Sequence, residues 1–115
     1  MAPASAVRSV LGKAATEEEP MPYVHISHQP GQSLADYRSV VDAMGDDAPD
    51  GSLLHIAGEV DGSLHIVDVW KSKASADRFA AERLFPAFRQ TGLGPSSDAT
   101  YVAFETDRVD DRRNP

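Results

Sequence analysis

The chain has 115 residues, with 18 acidic against 11 basic side chains for a formal charge of −7, and it contains no cysteine. That length fits one small domain with a real core, and the missing cysteines exclude disulfides, thiolate chemistry and cysteine-held zinc or iron–sulfur centres. An acidic balance without a basic cluster speaks against nucleic acid as a partner, and no apolar run suits a membrane span or a signal peptide, so a cytoplasmic protein is expected.

Residues 1–20, rich in Ala and Ser and closed by Glu17, Glu18, Glu19 and Pro20, read as a flexible extension in which Val7, Val10 and Leu11 could form one amphipathic turn. The domain proper is expected over residues 21–106. Its first strand is PYVHISH, with Tyr23, His25 and Ser27 on one side and Val24, Ile26 and His28 on the other. Ser33 is a suitable N-cap with Asp36 three residues on, and Leu34, Tyr37, Val41 and Met44 then share one helical face, with Val40 beside them. Gly45 predicts the stop, and DDAPDG predicts a polar loop.

Between Leu53 and Lys71 two alternating runs flank Asp61-Gly62, a dipeptide that suits the positive φ angles of a two-residue hairpin turn. Such a turn sets His55 against Asp68, Ala57 against Ile66 and Leu53 against Trp70. One face then carries Leu54, Ile56, Val67 and Val69; the other carries Leu53, His55, Ala57, Leu64, Ile66, Asp68 and Trp70. After Trp70 the period lengthens. Ser72 or Ser75 can cap a helix to about Gln90, with Ala76, Ala80, Leu84, Ala87, Phe88 and Thr91 inward, and Pro86 should kink or split it. Gly92, Gly94 and Pro95 end that element, ATYVAFET is the last strand, and residues 107–115 read as a solvated tail whose three acids and three arginines cancel.

The order strand, helix, strand, strand, helix, strand is the α+β, ferredoxin-like βαββαβ arrangement, a four-stranded antiparallel sheet with both helices on one face. Its other face is apolar and bare in a monomer, which predicts a homodimer. The element order, the strand ending VDVWKS, the helix ASADRFAAERLFPAF and that bare face resemble the dimeric α+β barrel superfamily, and within it the antibiotic biosynthesis monooxygenase-like proteins. The resemblance spans about residues 22–106. It implies a barrel formed by two protomers, a ligand cavity between sheet and helices, and an activity such as that of the group's cofactor-independent oxygenases on polycyclic phenols or of its haem degraders. Trp70 resembles the tryptophan at the end of the third strand of the oxygenases. Ile66 stands where those enzymes carry an asparagine, and the second helix lacks the histidine of the haem degraders.

By its own chemistry the His55–Asp68 pair can be a base oriented by a carboxylate, or a satisfied cross-strand pair near a sheet edge. His25 is the third catalytic candidate. Trp70, Tyr37 and Tyr23, with Ile66 on the same face, are candidates to line one apolar cavity, Tyr37 entering from the first helix. His28 and His65 belong to the opposite face and read as interface or surface residues. Two histidines and a carboxylate are too dispersed to predict a metal, and no cofactor is expected. Two functional classes remain: a small-molecule enzyme, an oxygenase or cyclase acting on an aromatic or polyketide-like substrate, and a non-catalytic homodimeric binding or structural protein with an apolar cavity.

Overall fold

The computed structural model describes residues 21–112. The extension expected over residues 1–20 and the end of the expected tail lie outside them. In chain order the elements are β1 (Tyr23–Pro30), α1 (Leu34–Met44), β2 (Ser52–Val60), β3 (Ser63–Trp70), α2 (Lys73–Phe79), a π-helical turn (Ala80–Leu84), α3 (Phe85–Thr91) and β4 (Thr100–Glu105). All strand pairs are antiparallel, in the order β2-β3-β1-β4, so the ferredoxin-like topology is present.

Local chemistry explains the boundaries. Ser33 caps α1 by accepting from the Asp36 amide while the Asp36 carboxylate accepts from the Ser33 amide, a reciprocal arrangement that satisfies two otherwise unpaired donors. Ser72 caps α2 by accepting from the Ser75 amide. Asp61 and Gly62 adopt φ of 51° and 78°, as the hairpin turn requires. Pro86 splits the second helical stretch: the chain widens into the π turn, where the Phe85 amide reaches the Ala80 carbonyl five residues back, and α3 restarts with the proline in its first turn.

The barrel implied by the resemblance is not formed, and this corrects the expected fold class. β2 pairs only with β3 and β4 only with β1, which leaves an open sheet with two edges. Four strands about 4.8 Å apart span only about 15 Å. Their twist of about 20–25° per strand rotates the outer strands relative to each other without curling them into contact, and a closed barrel with a filled interior takes about eight. A second correction concerns register. A bulge at Leu53 puts Ser52 rather than Leu53 opposite Trp70, while His55 stays opposite Asp68 and Ala57 opposite Ile66. The extra residue is turned out, and Leu53 is exposed.

Helices and sheet meet on one face. Trp70 stacks at a tilt on Phe79 of α2, with ring centroids 5.1 Å apart, Tyr37 of α1 meets His55, and the Leu34 amide donates to Glu59 at the end of β2. Leu64, Trp70, Val40 and Ala87 form the buried apolar core between the layers, joined by Ser27, Gln29 and Ser75. The opposite face carries Val24, Ile26, Leu54, Ile56, Val67, Val69, Val102 and Phe104, with Ile56 51% and Phe104 46% exposed.

Candidate functional site

Asp68 is central because its strand is. β3 lies between β1 and β2, and the register sets His55 on one side of Asp68 and His25 on the other. His55 turns toward it: Nδ1 and the carboxylate are 2.5 Å apart. Tyr37 then closes on the far nitrogen, with its phenol oxygen 2.5 Å from His55 Nε2 and the two rings stacked at 5.8 Å. Three side chains from α1, β2 and β3 thus form one hydrogen-bonded chain.

The donors in that chain follow from its ends. An ionised Asp68 can only accept, so Nδ1 carries the proton and donates; when His55 is neutral, Nε2 is left with its lone pair and the Tyr37 hydroxyl donates to it. The hydrogen bond to Asp68 raises the His55 pKa above its ordinary 6.5, burial opposes this, and the Asp68 charge adds to it. Burial, and then the same carboxylate charge, raises the Tyr37 pKa above 10.0. Asp68 is better sheltered than its partner, with 18% of its side chain exposed against 42% for His55. The site therefore opens at the histidine end. Above the raised His55 value the site holds a neutral phenol on a basic imidazole backed by a carboxylate, an arrangement able to accept, pass on and return a proton.

The other candidates are placed less directly. His25 lies across from Asp68 in register, but its ring packs on Tyr101 at 5.5 Å. Trp70 is 3% exposed and belongs to the core against Phe79 rather than to an open wall. Tyr23 and Ile66 are half-buried on the same face. A hollow of about 220 Å³ opens elsewhere, between the 47–50 loop and the second helical stretch, and is lined by Asp47, Pro49, Asp50, Arg78 and Arg83 among others. No group of three or more metal-ligating side chains converges among the described residues, and no helix among them is long and apolar enough to cross a membrane.

Sequence reasoning missed Glu59, whose carboxylate accepts from the Leu34 amide at 2.9 Å and ties the start of α1 to β2 three residues before Tyr37. It shares the parity of His55, and that alternation was the available signal. Gln29 was missed as well; it is buried and holds the β4 approach by accepting from the Ser96 amide at 2.9 Å and donating to Tyr101.

No protein-family model matches the sequence, and no curated protein sequence matches it. Solved structures do share the fold. SnoaB, a cofactor-independent oxygenase from Streptomyces nogalater, superposes with a TM-score of 0.57 at 13% identity, covering 76% of this chain and 95% of that one. Rv0793 from Mycobacterium tuberculosis gives 0.57 at 17% identity, over 79% and 98%. The NE2512 protein of unknown function from Nitrosomonas europaea gives 0.58 at 13% identity, over 81% and 96%. At these identities the likeness is one of fold.

Proposed function

We propose that the protein is a small-molecule enzyme that removes a proton from a phenol or an acidic carbon of an aromatic or polyketide-like substrate. The observation that carries this is the Tyr37–His55–Asp68 chain. A substrate proton arrives at the Tyr37 oxygen as the phenol's own proton passes to His55 Nε2, so no free tyrosinate forms. That suits a phenol whose pKa is raised. Asp68 stabilises the resulting imidazolium. The substrate is left as an electron-rich anion. In the monooxygenase form of the reaction, dioxygen converts its methylene to a carbonyl with one oxygen atom and releases the other as water, without a cofactor; in the cyclase form the anion attacks a carbonyl of the same molecule. The likeness of fold to a cofactor-independent oxygenase supports the first form.

A second reading, a non-catalytic homodimer binding an apolar ligand, is favoured by the bare face with its exposed Ile56, Val102 and Phe104. The homodimer is part of both readings, in the cytoplasm that a cysteine-free chain suits.

The test uses a panel of polycyclic phenols bearing an adjacent acidic methylene in deuterated buffer. Proton exchange is followed by NMR and oxygen uptake by electrode. Exchange is expected with the native protein and is expected to vanish in His55→Ala and Tyr37→Phe. Exchange that persists in both variants, or a folded native protein that exchanges nothing in the panel, would overturn the enzyme reading.

A further inference from the structure

On the bare face, toward the Asp61-Gly62 end of the sheet, His28 of β1 and His65 of β3 are direct cross-strand partners. Their rings stack with centroids 4.5 Å apart and planes 15° from parallel. Neither ring has a hydrogen-bond or ion-pair partner among the described residues. The pairs next along the same face are Ile26 with Val67 and Pro30 with Ser63, while the acids Glu59, Asp68 and Glu105 alternate to the helix-covered face. His28 also faces Thr100 of β4, so the two imidazoles have apolar and hydroxyl neighbours on this face and no strand carboxylate to engage them.

We propose that His28 and His65 form a two-histidine site for a late first-row divalent cation, of which Zn²⁺ is the reference. Neutral imidazole is a strong ligand for such ions, and direct cross-strand partners carry their side chains within reach of one ion. Tetrahedral bonds of about 2.0–2.1 Å need the two nitrogens about 3.4 Å apart with both in-plane lone pairs aimed at the ion, so both rings must turn out of their present stack until their planes converge on it. Side-chain rotation supplies that movement. The backbones do not have to move, because β1 and β3 are adjacent central strands held by a continuous ladder. The residue beyond His65 on β2 is Gly58, where an added Cβ would meet nothing within 4 Å, so nothing in the chain itself blocks the remaining coordination positions. With two imidazole nitrogens and no strand carboxylate on its face, the site selects Zn²⁺ over Mg²⁺ or Ca²⁺. His25 and His55, on the other face, have no part in it.

Calorimetric titration of the full-length protein, stripped of metal and held near neutral pH, tests this. Saturable micromolar binding of Zn²⁺ and none of Mg²⁺ is expected. His28→Ala and His65→Ala should each abolish saturable binding, a larger loss than the roughly 10–100-fold that removing a mere supporting residue costs, and His25→Ala and His55→Ala should leave it unchanged. No saturable Zn²⁺ binding, binding indifferent to both His28→Ala and His65→Ala, or binding lost in His55→Ala would each overturn the assignment. A measurement on the native protein guards against variants that fail to fold: traces of paramagnetic Co²⁺ should broaden the ring signals of His28 and His65 before those of His25 and His55, and the reverse order would equally overturn it.

Discussion

At the scale of single residues, the behaviour of His55 is set by what holds each of its nitrogens. Its raised pKa fixes the sign of two pH effects. Stabilisation from the Asp68 bond is fully present below the ordinary histidine value of 6.5 and is lost as pH rises through the higher folded value. Thermal melts across the neutral range should show this loss, and Asp68→Asn should flatten it. If the chain is catalytic, the neutral imidazole is the active base, so turnover should rise with pH through the raised His55 value and fall only above 10.0, where Tyr37 ionises. Asp68→Asn should move the acid limb to lower pH while lowering the rate. Tyr37→Phe should cut turnover by about 10²–10⁴-fold, the usual share of a positioned acid–base group, with the fold intact by circular dichroism.

At the scale of elements, two glycines separate backbone strain from crowding. Gly62 has φ of 78° in the hairpin turn, and nothing lies within 4 Å of an added Cβ. Gly62→Ala should therefore cost about 1–2 kcal/mol, the left-handed conformation alone. Gly51, with φ of 85°, immediately precedes β2 where α2 packs; an added Cβ would come within 2.5 Å of Ser75 Oγ and 2.6 Å of Ser75 Cβ. Ser75 is buried in the first turn of α2, its amide donating to Ser72, so it cannot swing aside. Urea unfolding of both variants should show the larger loss for Gly51→Ala. Equal losses would mean that α2 is free to shift away from the start of β2. The same junction holds the Leu53 bulge, and the Lys71 amide bonds to the Gly51 carbonyl beyond it, which keeps the hairpin paired past the irregularity.

At the scale of the whole molecule, the exposed apolar face is the surface that the proposed homodimer would bury. One layer of helices covers one side of the sheet, and β4 is exposed along its whole length. Sedimentation equilibrium is expected to find a dimer for the native chain and a folded monomer for Ile56→Asp. Ile56 is already 51% exposed in the single chain, so the charge stays in water once the partner leaves. An unfolded Ile56→Asp would mean instead that the face is required for folding itself.

The sequence by itself determined what local rules govern. Period-two alternation and the Asp61-Gly62 turn determined which residues of the hairpin share a face and set His55 opposite Asp68. Ser33, Gly45 and Gly92 bounded the helices, with Ser72 one of two serines able to cap the second, and the missing amide of Pro86 broke that one. Tertiary structure decided the rest, because the outcome depends on distances that no local pattern contains. Whether β2 and β4 meet depends on the accumulated twist of four strands, and here they stay apart. The Leu53 bulge arises where the hairpin must also accommodate the packing of α2. That Tyr37 rather than Trp70 reaches His55, while Trp70 is sealed under Phe79, follows from how α1 and α2 dock on the sheet; residues sharing one parity on one face were equal in the sequence and became unequal only once the helices lay across them.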